Sequence, residues 1–197
     1  MTDTLTARAL AFRQFHTDPG CFVIPNPWDA GSARLLARMG FKALASTGAG
    51  HAFSRGLTDG AVGREGMLAH LREMAAATDL PLSADLENGF GAAPETVANT
   101  LRLAATTGIV GGSIEDSSGN RAAPLYPLAL AADRIRAAVE AARDLPFPFT
   151  LTARAENYFI GQPDLADTIR RLQAYQEAGA DVLFAPGLRT REDIAAV

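Results

Sequence analysis

Leu80-Pro81-Leu82-Ser83-Ala84 runs directly into Asp85-Leu86-Glu87-Asn88-Gly89-Phe90-Gly91. The first five residues read as the apolar run of a strand. Side chains alternate along a strand, so Asp85 and Glu87 project to the same side. Gly89 and Gly91 then let the backbone turn sharply away. Two acids at the carboxyl end of a strand, followed by a permissive loop, suit a hard cation such as Mg²⁺. A solvated acidic turn has the same local sequence, so the meaning of the motif depends on what the chain brings beside it.

Working outward, the same unit recurs: an apolar β-type run, a loop, an amphipathic helical stretch. The strand candidates are Cys21–Pro25, Lys42–Thr47, Leu80–Leu86, Ile109–Glu115, Phe147–Arg154 and Ala180–Ala185. Most are nearly continuous in apolar residues, as strands buried on both faces should be. Between them lie helical stripes: Met67/Leu68, Leu71 and Met74/Ala75; Val97, Leu101 and Ala104/Ala105; Ile135, Val139 and Ala142; Leu165, Ile169, Leu172 and Tyr175. Pro94 suits a first helical turn and Asp164 a cap. Gly40, Gly108 and Gly179 fall where a left-handed residue ends a helix.

Strict βα alternation implies a parallel sheet, either doubly wound or closed as a barrel. The loop after the first strand candidate, Pro25-Asn26-Pro27-Trp28-Asp29-Ala30-Gly31, lacks the G-x-G-x-x-G fingerprint of an open nucleotide-binding sheet. Polar groups instead follow nearly every strand, which suits an α/β, (β/α)₈ TIM-type barrel whose site is built by many strand ends. Only about six βα units are present, so the barrel is read as incomplete: one partial α/β-barrel domain over residues 1–197, with strands seven and eight missing.

The chain has 197 residues, 48% of them hydrophobic, and a formal net charge of −4. That composition is enough for a sizeable core. No basic run or basic-aromatic patch appears, so neither nucleic acid nor a membrane surface is an expected partner. A single cysteine, Cys21, permits no internal disulfide and fits a reducing compartment. Met1 to His16 lacks an apolar signal core, and no apolar run reaches the length of a membrane span. A cytoplasmic protein is expected.

Placed on one rim, the strand ends gather Asp85, Glu87, Glu115 and Asp116, so three or four carboxylates converge. Without a cation such a group repels itself or shifts its pKa values; Mg²⁺ or Mn²⁺ removes the conflict. Asp59, in the long segment after the second strand, can reach over the same place. Arg154 offers a planar fork to a substrate carboxylate or phosphate. Ser46-Thr47-Gly48-Ala49-Gly50 is a small-residue loop whose amides can approach an anion. Each has a structural reading too: Asp59 as a turn cap, Glu115/Asp116 as caps, Arg154/Glu156 as an ion pair, Trp28 as packing.

Asn26-Pro27-Trp28-Asp29-Ala30-Gly31-Ser32-Ala33-Arg34, Ser46-Thr47-Gly48-Ala49-Gly50, Gly56-Leu57-Thr58-Asp59, Ala84 to Gly91, Ser113-Ile114-Glu115-Asp116 and Thr152-Ala153-Arg154 together resemble the isocitrate lyase/phosphoenolpyruvate mutase superfamily in order and spacing. The resemblance covers roughly Phe22 to Leu188. It implies an α/β barrel that uses Mg²⁺ (or Mn²⁺) on a 2-oxo-acid-like substrate, cleaving or forming C–C or P–C bonds through enolate-type species. It further implies Asp85 as direct metal ligand, Glu87 and Glu115 holding the metal largely through its waters, and Asp59 on that water shell. Ser46, Thr47 and Gly48 would bind substrate oxygens, and Arg154 the carboxylate. A homo-oligomer, dimer or tetramer, is expected.

The chain departs from the family's well-known branches. The Lys-Lys-Cys-Gly-His loop of isocitrate lyase has Ser117-Ser118-Gly119-Asn120-Arg121-Ala122 in its place, so isocitrate lyase proper is not expected. The Lys-x-Asn loop of the mutases and phosphonopyruvate hydrolases is absent. After the sixth strand, where methylisocitrate-type lyases carry a Glu and mutases a His, stands Ala185-Pro186-Gly187. His51 is the remaining acid/base candidate and also reads as a plain loop residue. The expectation is a lyase acting on a small 2-oxo or 2-hydroxy carboxylate. P–C chemistry of the mutase or hydrolase type, and a catalytically inactive binding or assembly module, stand as alternatives. Exposed edges on the first and sixth strands imply that the natural chain is longer or that something covers them.

Overall fold

The computed structural model describes residues 4–197. In chain order the elements are α1 (Thr4–Thr17), α2 (Ala30–Arg38), β1 (Leu44–Ala45), α3 (Gly48–Ser54), α4 (Gly63–Ala77), β2 (Leu82–Asp85), α5 (Pro94–Ala105), β3 (Gly111–Glu115), α6 (Leu128–Arg143), β4 (Thr150–Arg154), α7 (Leu165–Glu177), β5 (Val182–Phe184) and α8 (Arg191–Ala196). The five strands are all parallel and pair in sequence order, β1-β2-β3-β4-β5. A doubly wound sheet reverses its strand order at a switch point. This one does not; it is an arc of a TIM-type barrel.

Five of the six expected strands form. Cys21–Pro25 does not. It runs beside β1 but is joined to it only by the Ala45 amide donating to the Pro25 carbonyl at 3.1 Å and by the Asn26 side chain donating to the Ala45 carbonyl at 3.1 Å. Pro25 and Pro27 lack amide hydrogens, so a ladder cannot continue through them.

The helical stripes bury as their spacing demands. Helices α5 and α6 pack against each other, and Val97, Leu101 and Ala104 of the first and Ala131, Ile135 and Ala138 of the second are all nearly inaccessible. Asp164 caps α7, accepting from the Asp167 amide at 2.9 Å, and Pro94 opens α5. Gly40, Gly108 and Gly179 have φ of 90°, 98° and 100°, as helix-ending residues. Helix α1 closes the amino-terminal pole. A Cβ on Gly111 would come within 2.8 Å of the Phe12 ring, so the glycine is what lets that ring fill the inside of the arc.

The register sets the inward-facing rows. Asp85, Ser113, Thr152 and Val182 are level with one another, and Glu115, Arg154 and Phe184 form the next row toward the carboxyl pole. Among the described residues no helix is long and apolar enough to cross a membrane.

Candidate active site

The carboxyl ends of β1 to β5 surround a cavity of about 770 Å³. Ser46, Thr47, Asp59, Asp85, Glu87, Glu115 and Arg154 all line it. Of the residues that the family resemblance assigns to metal or substrate, Gly48 alone is not in its wall.

Asp85 organises the metal-type end. Its amide donates to Ser46 Oγ at 2.9 Å; its Oδ2 accepts from the Gly48 amide at 2.8 Å; its Oδ1 accepts from the Glu87 amide at 3.1 Å and from Arg154 Nη1 at 3.3 Å. The Ser46–Gly48 loop is therefore tied to the acid strand. Thr47 Oγ1 accepts from the Gly50 amide at 3.2 Å and caps α3. A Cβ on Gly48 would sit 3.0 Å from Glu87 Oε1 and 3.4 Å from Asp85 Oδ2, so a glycine here keeps the space beside both acids open.

Glu87 has a left-handed backbone, φ 49°, uncommon for a residue with a side chain. The turn is held from outside. Asn88 accepts from the Phe90 amide at 3.0 Å and donates to the Ser117 carbonyl at 3.1 Å. The buried guanidinium of Arg134 donates to the carbonyls of Asn88, Gly91 and Glu115 while lying 4.0 Å from the Tyr126 ring. Glu87 Oε1 is buried and has no hydrogen-bond partner.

Arg154 is the cation of the cluster. Glu156 clamps it at Nε (3.0 Å) and Nη2 (2.9 Å), Asp85 is 3.3 Å from Nη1, and Glu115 is 3.4 Å from Nη2. The ion pair with Glu156 and the place in the cavity wall are thus both real. Burial opposes the charge on Arg154, but Asp85, Glu115 and Glu156 outweigh it and hold the guanidinium more firmly protonated. One cation cannot serve all these acids. Burial, with the charges of Asp85 and Asp59, lifts Glu87 to about 7. Burial, against the pull of Arg154, lifts Glu115 to about 8.

Asp116 does not join the cluster, contrary to the count of converging carboxylates. It points to the other side, where its Oδ1 accepts from the Glu156 amide at 2.9 Å and its Oδ2 from Arg171 at 3.0 Å and Tyr175 at 2.5 Å. Asp59 lies on the exposed loop at the cavity rim. His51 lies outside the cavity wall; its ring stacks on His70 with centroids 3.6 Å apart, beside a separate void of about 280 Å³. Asp29 is spent on capping α2, accepting from the Ser32 amide at 2.7 Å.

The Arg154/Glu156 ion pair read from the sequence is present, whereas Arg134 has no place in that reading. A signal existed for it: Arg134 sits on the Ala131, Ile135, Ala138 side of α6, an arginine on the face that turns inward.

Among the described residues no three His, Cys, Asp or Glu side chains close around one point as ready-made metal ligands. The donor set nevertheless fits a hard cation. All candidates are carboxylates, one oxygen is buried and orphaned, and Mg²⁺ keeps several waters, so it needs one or two direct carboxylates rather than a cage.

The sequence family described as phosphoenolpyruvate phosphomutase matches residues 12–197. The chain belongs to that family. A crystal structure from Burkholderia cenocepacia, provisionally named a lyase/mutase, superposes with a TM-score of 0.98 at 61% identity, covering 99% of this chain and 70% of that one. Oxaloacetate acetylhydrolase in complex with oxalate superposes with a TM-score of 0.87 at 31% identity over 98% of this chain and 67% of that one. The 2-methylisocitrate lyase of Escherichia coli is 35% identical over 182 residues, which are 88% of this chain and 60% of that enzyme. The phosphomutase family to which the chain belongs thus includes enzymes named as lyases and mutases, with substrates that are small carboxylates.

Proposed function

We propose that the chain carries the metal and substrate-carboxylate site of a Mg²⁺-dependent lyase. It cleaves a C–C bond in a small 2-oxo or 2-hydroxy carboxylate, in a cytoplasmic homo-oligomer. The observation that carries this reading is the pairing, on one cavity wall, of an oxygen-only acid group with an arginine whose Nη1 edge is the less tightly held. Asp85 would hold the metal directly, with Glu87 and Glu115 acting mainly through its waters. A bound Mg²⁺ would supply a Lewis acid for the substrate oxygens and offset negative charge that develops as the bond breaks.

The chain's own groups do the rest. Glu156 fixes the Nε/Nη2 edge of Arg154, leaving the Nη1 edge, with its longer contact to Asp85, to take a substrate carboxylate in the bidentate manner of arginine. Ser46 and Thr47, both in the cavity wall, would offer their hydroxyls to substrate oxygens, and the Gly48 amide, now donating to Asp85, would join them only when that bond is given up. Asp59 on the rim orients water over the opening. Charges gathered in a partly water-excluded cavity act more strongly than in bulk solvent.

Calorimetric titration of Mg²⁺ into the protein and into Asp85→Ala is the test. Binding to the first and not the second is expected; equal binding would sink the metal assignment. With the metal in place, oxaloacetate, 2-methylisocitrate and phosphonopyruvate are assayed in turn. Turnover of phosphonopyruvate alone would replace C–C by P–C chemistry.

A further inference from the structure

Two residues of the acid-bearing turn carry side chains yet have a left-handed backbone: Glu87 at φ 49° and Phe90 at φ 60°. Such residues persist only where their surroundings over-determine them. The carbonyl that follows each one, on Asn88 and on Gly91, accepts from Nη2 of Arg134, the second at 3.2 Å. Nη1 of the same guanidinium donates to the Glu115 carbonyl at 3.1 Å. The Glu115 amide in turn donates to the Glu87 carbonyl at 3.0 Å. One planar fork thus closes the peptides of both acids into a single ring.

Arg134 is 1% exposed and lies outside the cavity wall, so it reaches no substrate. Burying a guanidinium is costly unless its donors are used. Nε finds no partner, and every hydrogen bond that the side chain makes goes to the turn after β2 or to the end of β3. The Tyr126 ring, 4.0 Å from the guanidinium carbon, steadies its plane. For packing alone, an apolar residue would serve α6 at this position. What the fork adds is a fixed offset between two strand ends, which the point charge of a lysine does not supply.

A fixed offset matters more to one cation than to another. Mg²⁺ demands near-ideal octahedral geometry and keeps its waters, whereas Ca²⁺ accepts loose and variable coordination. We infer that Arg134 is a positioning residue that sets the spacing of Glu87 and Glu115 and so makes the site prefer Mg²⁺ to Ca²⁺. This deepens the metal site proposed above and rests on it.

The test is a pair of calorimetric titrations, Mg²⁺ and Ca²⁺, into the whole chain, with Asp85→Ala marking what belongs to the site. Arg134→Lys keeps the charge and loses the fork. Its Mg²⁺ affinity is expected to fall about tenfold or more, as when a group behind a metal ligand is removed, while Ca²⁺ affinity changes about threefold or less. Ile135→Ala, the next residue of the same helix and also buried, removes packing but no hydrogen bond to either strand end. It should leave the ratio of the two affinities unchanged. Should Arg134→Lys fail to fold by circular dichroism, Tyr126→Leu decides. It frees the plane of the guanidinium, and the ratio should move the same way by about threefold, the modest worth of a cation–π contact. No Mg²⁺ binding, or binding equal in Asp85→Ala, would overturn the metal site and this inference together. With Asp85-dependent Mg²⁺ binding, an unchanged ratio in the deciding variant would overturn the inference alone. So would an equal shift in Ile135→Ala, or an unaltered chain that binds Ca²⁺ as tightly as Mg²⁺.

Discussion

Glu115 and Asp116 are consecutive residues, and the alternation of a strand sends them to opposite faces of the sheet. Glu115 enters the cavity and competes with Asp85 and Glu156 for Arg154. Asp116 turns toward α7 and is met by Arg171, Tyr175 and the Glu156 amide. On the α7 side the charges balance. Asp167, despite its burial, is pulled down to about 2 by hydrogen bonds from Arg171, Asn157 and Arg170. On the cavity side the acids outnumber the cation, and Glu87 and Glu115 are pushed up. A satisfied polar network fixes the shape of a protein; an unsatisfied one beside it marks a candidate site.

The largest expected effect breaks the satisfied side. Asp116→Ala leaves Arg171 short of a partner and the Tyr175 hydroxyl and Glu156 amide buried alone. A loss of about 3–5 kcal/mol is expected from urea unfolding. Glu115→Gln should do the reverse. In metal-free protein at pH 9 it removes a buried charge and should raise the urea midpoint, while Mg²⁺ affinity falls about 10–100-fold by calorimetry. A Glu115→Gln variant as damaged as Asp116→Ala would erase the distinction between the two sides.

Next in size is the pH response. Glu87 and Glu115 titrate in the folded chain at about 7 and about 8, against an ordinary 4.5. The folded state then binds more protons than the unfolded one. Their contribution is fully present below about pH 4.5 and is lost as pH rises through 7 and 8. Melting temperatures of metal-free protein should fall across that window and level out with saturating Mg²⁺. The smallest effect runs the other way. Burial and the neighbouring His51 lower His70 from 6.5 to about 4. Its contribution is present above pH 6.5 and is lost as pH falls toward 4. His70→Gln should flatten that acid limb in the same melting experiment and leave the alkaline limb alone.

Much of this geometry is legible in the chain. The spacing of Asp85 and Glu87, and the polar residues after each apolar run, mark one rim without any coordinates. Cys21–Pro25 misleads because apolar content says nothing about amide donors, and two prolines supply none. Asp116 misleads because the alternation, followed one residue past Glu115, turns its side chain away from the rim toward α7. Arg134 and Arg171 stay hidden for another reason. Each immediately precedes an apolar stripe residue, Ile135 or Leu172, and a charged residue on an amphipathic helix reads as solvent-facing. Both point inward, because loop carbonyls in one case and Asp116 in the other need a donor that only the folded chain brings near.

The chain's single tryptophan, Trp28, lies across the first turn of α3. A Cβ on Gly50 would come within 2.4 Å of the indole, and Phe53 of the same helix meets it at 6.3 Å between ring centres. That turn begins at Gly48, whose amide is fastened to Asp85. The indole thus leans on the turn that Asp85 anchors, so its fluorescence should change if a cation takes Asp85 from the Gly48 amide.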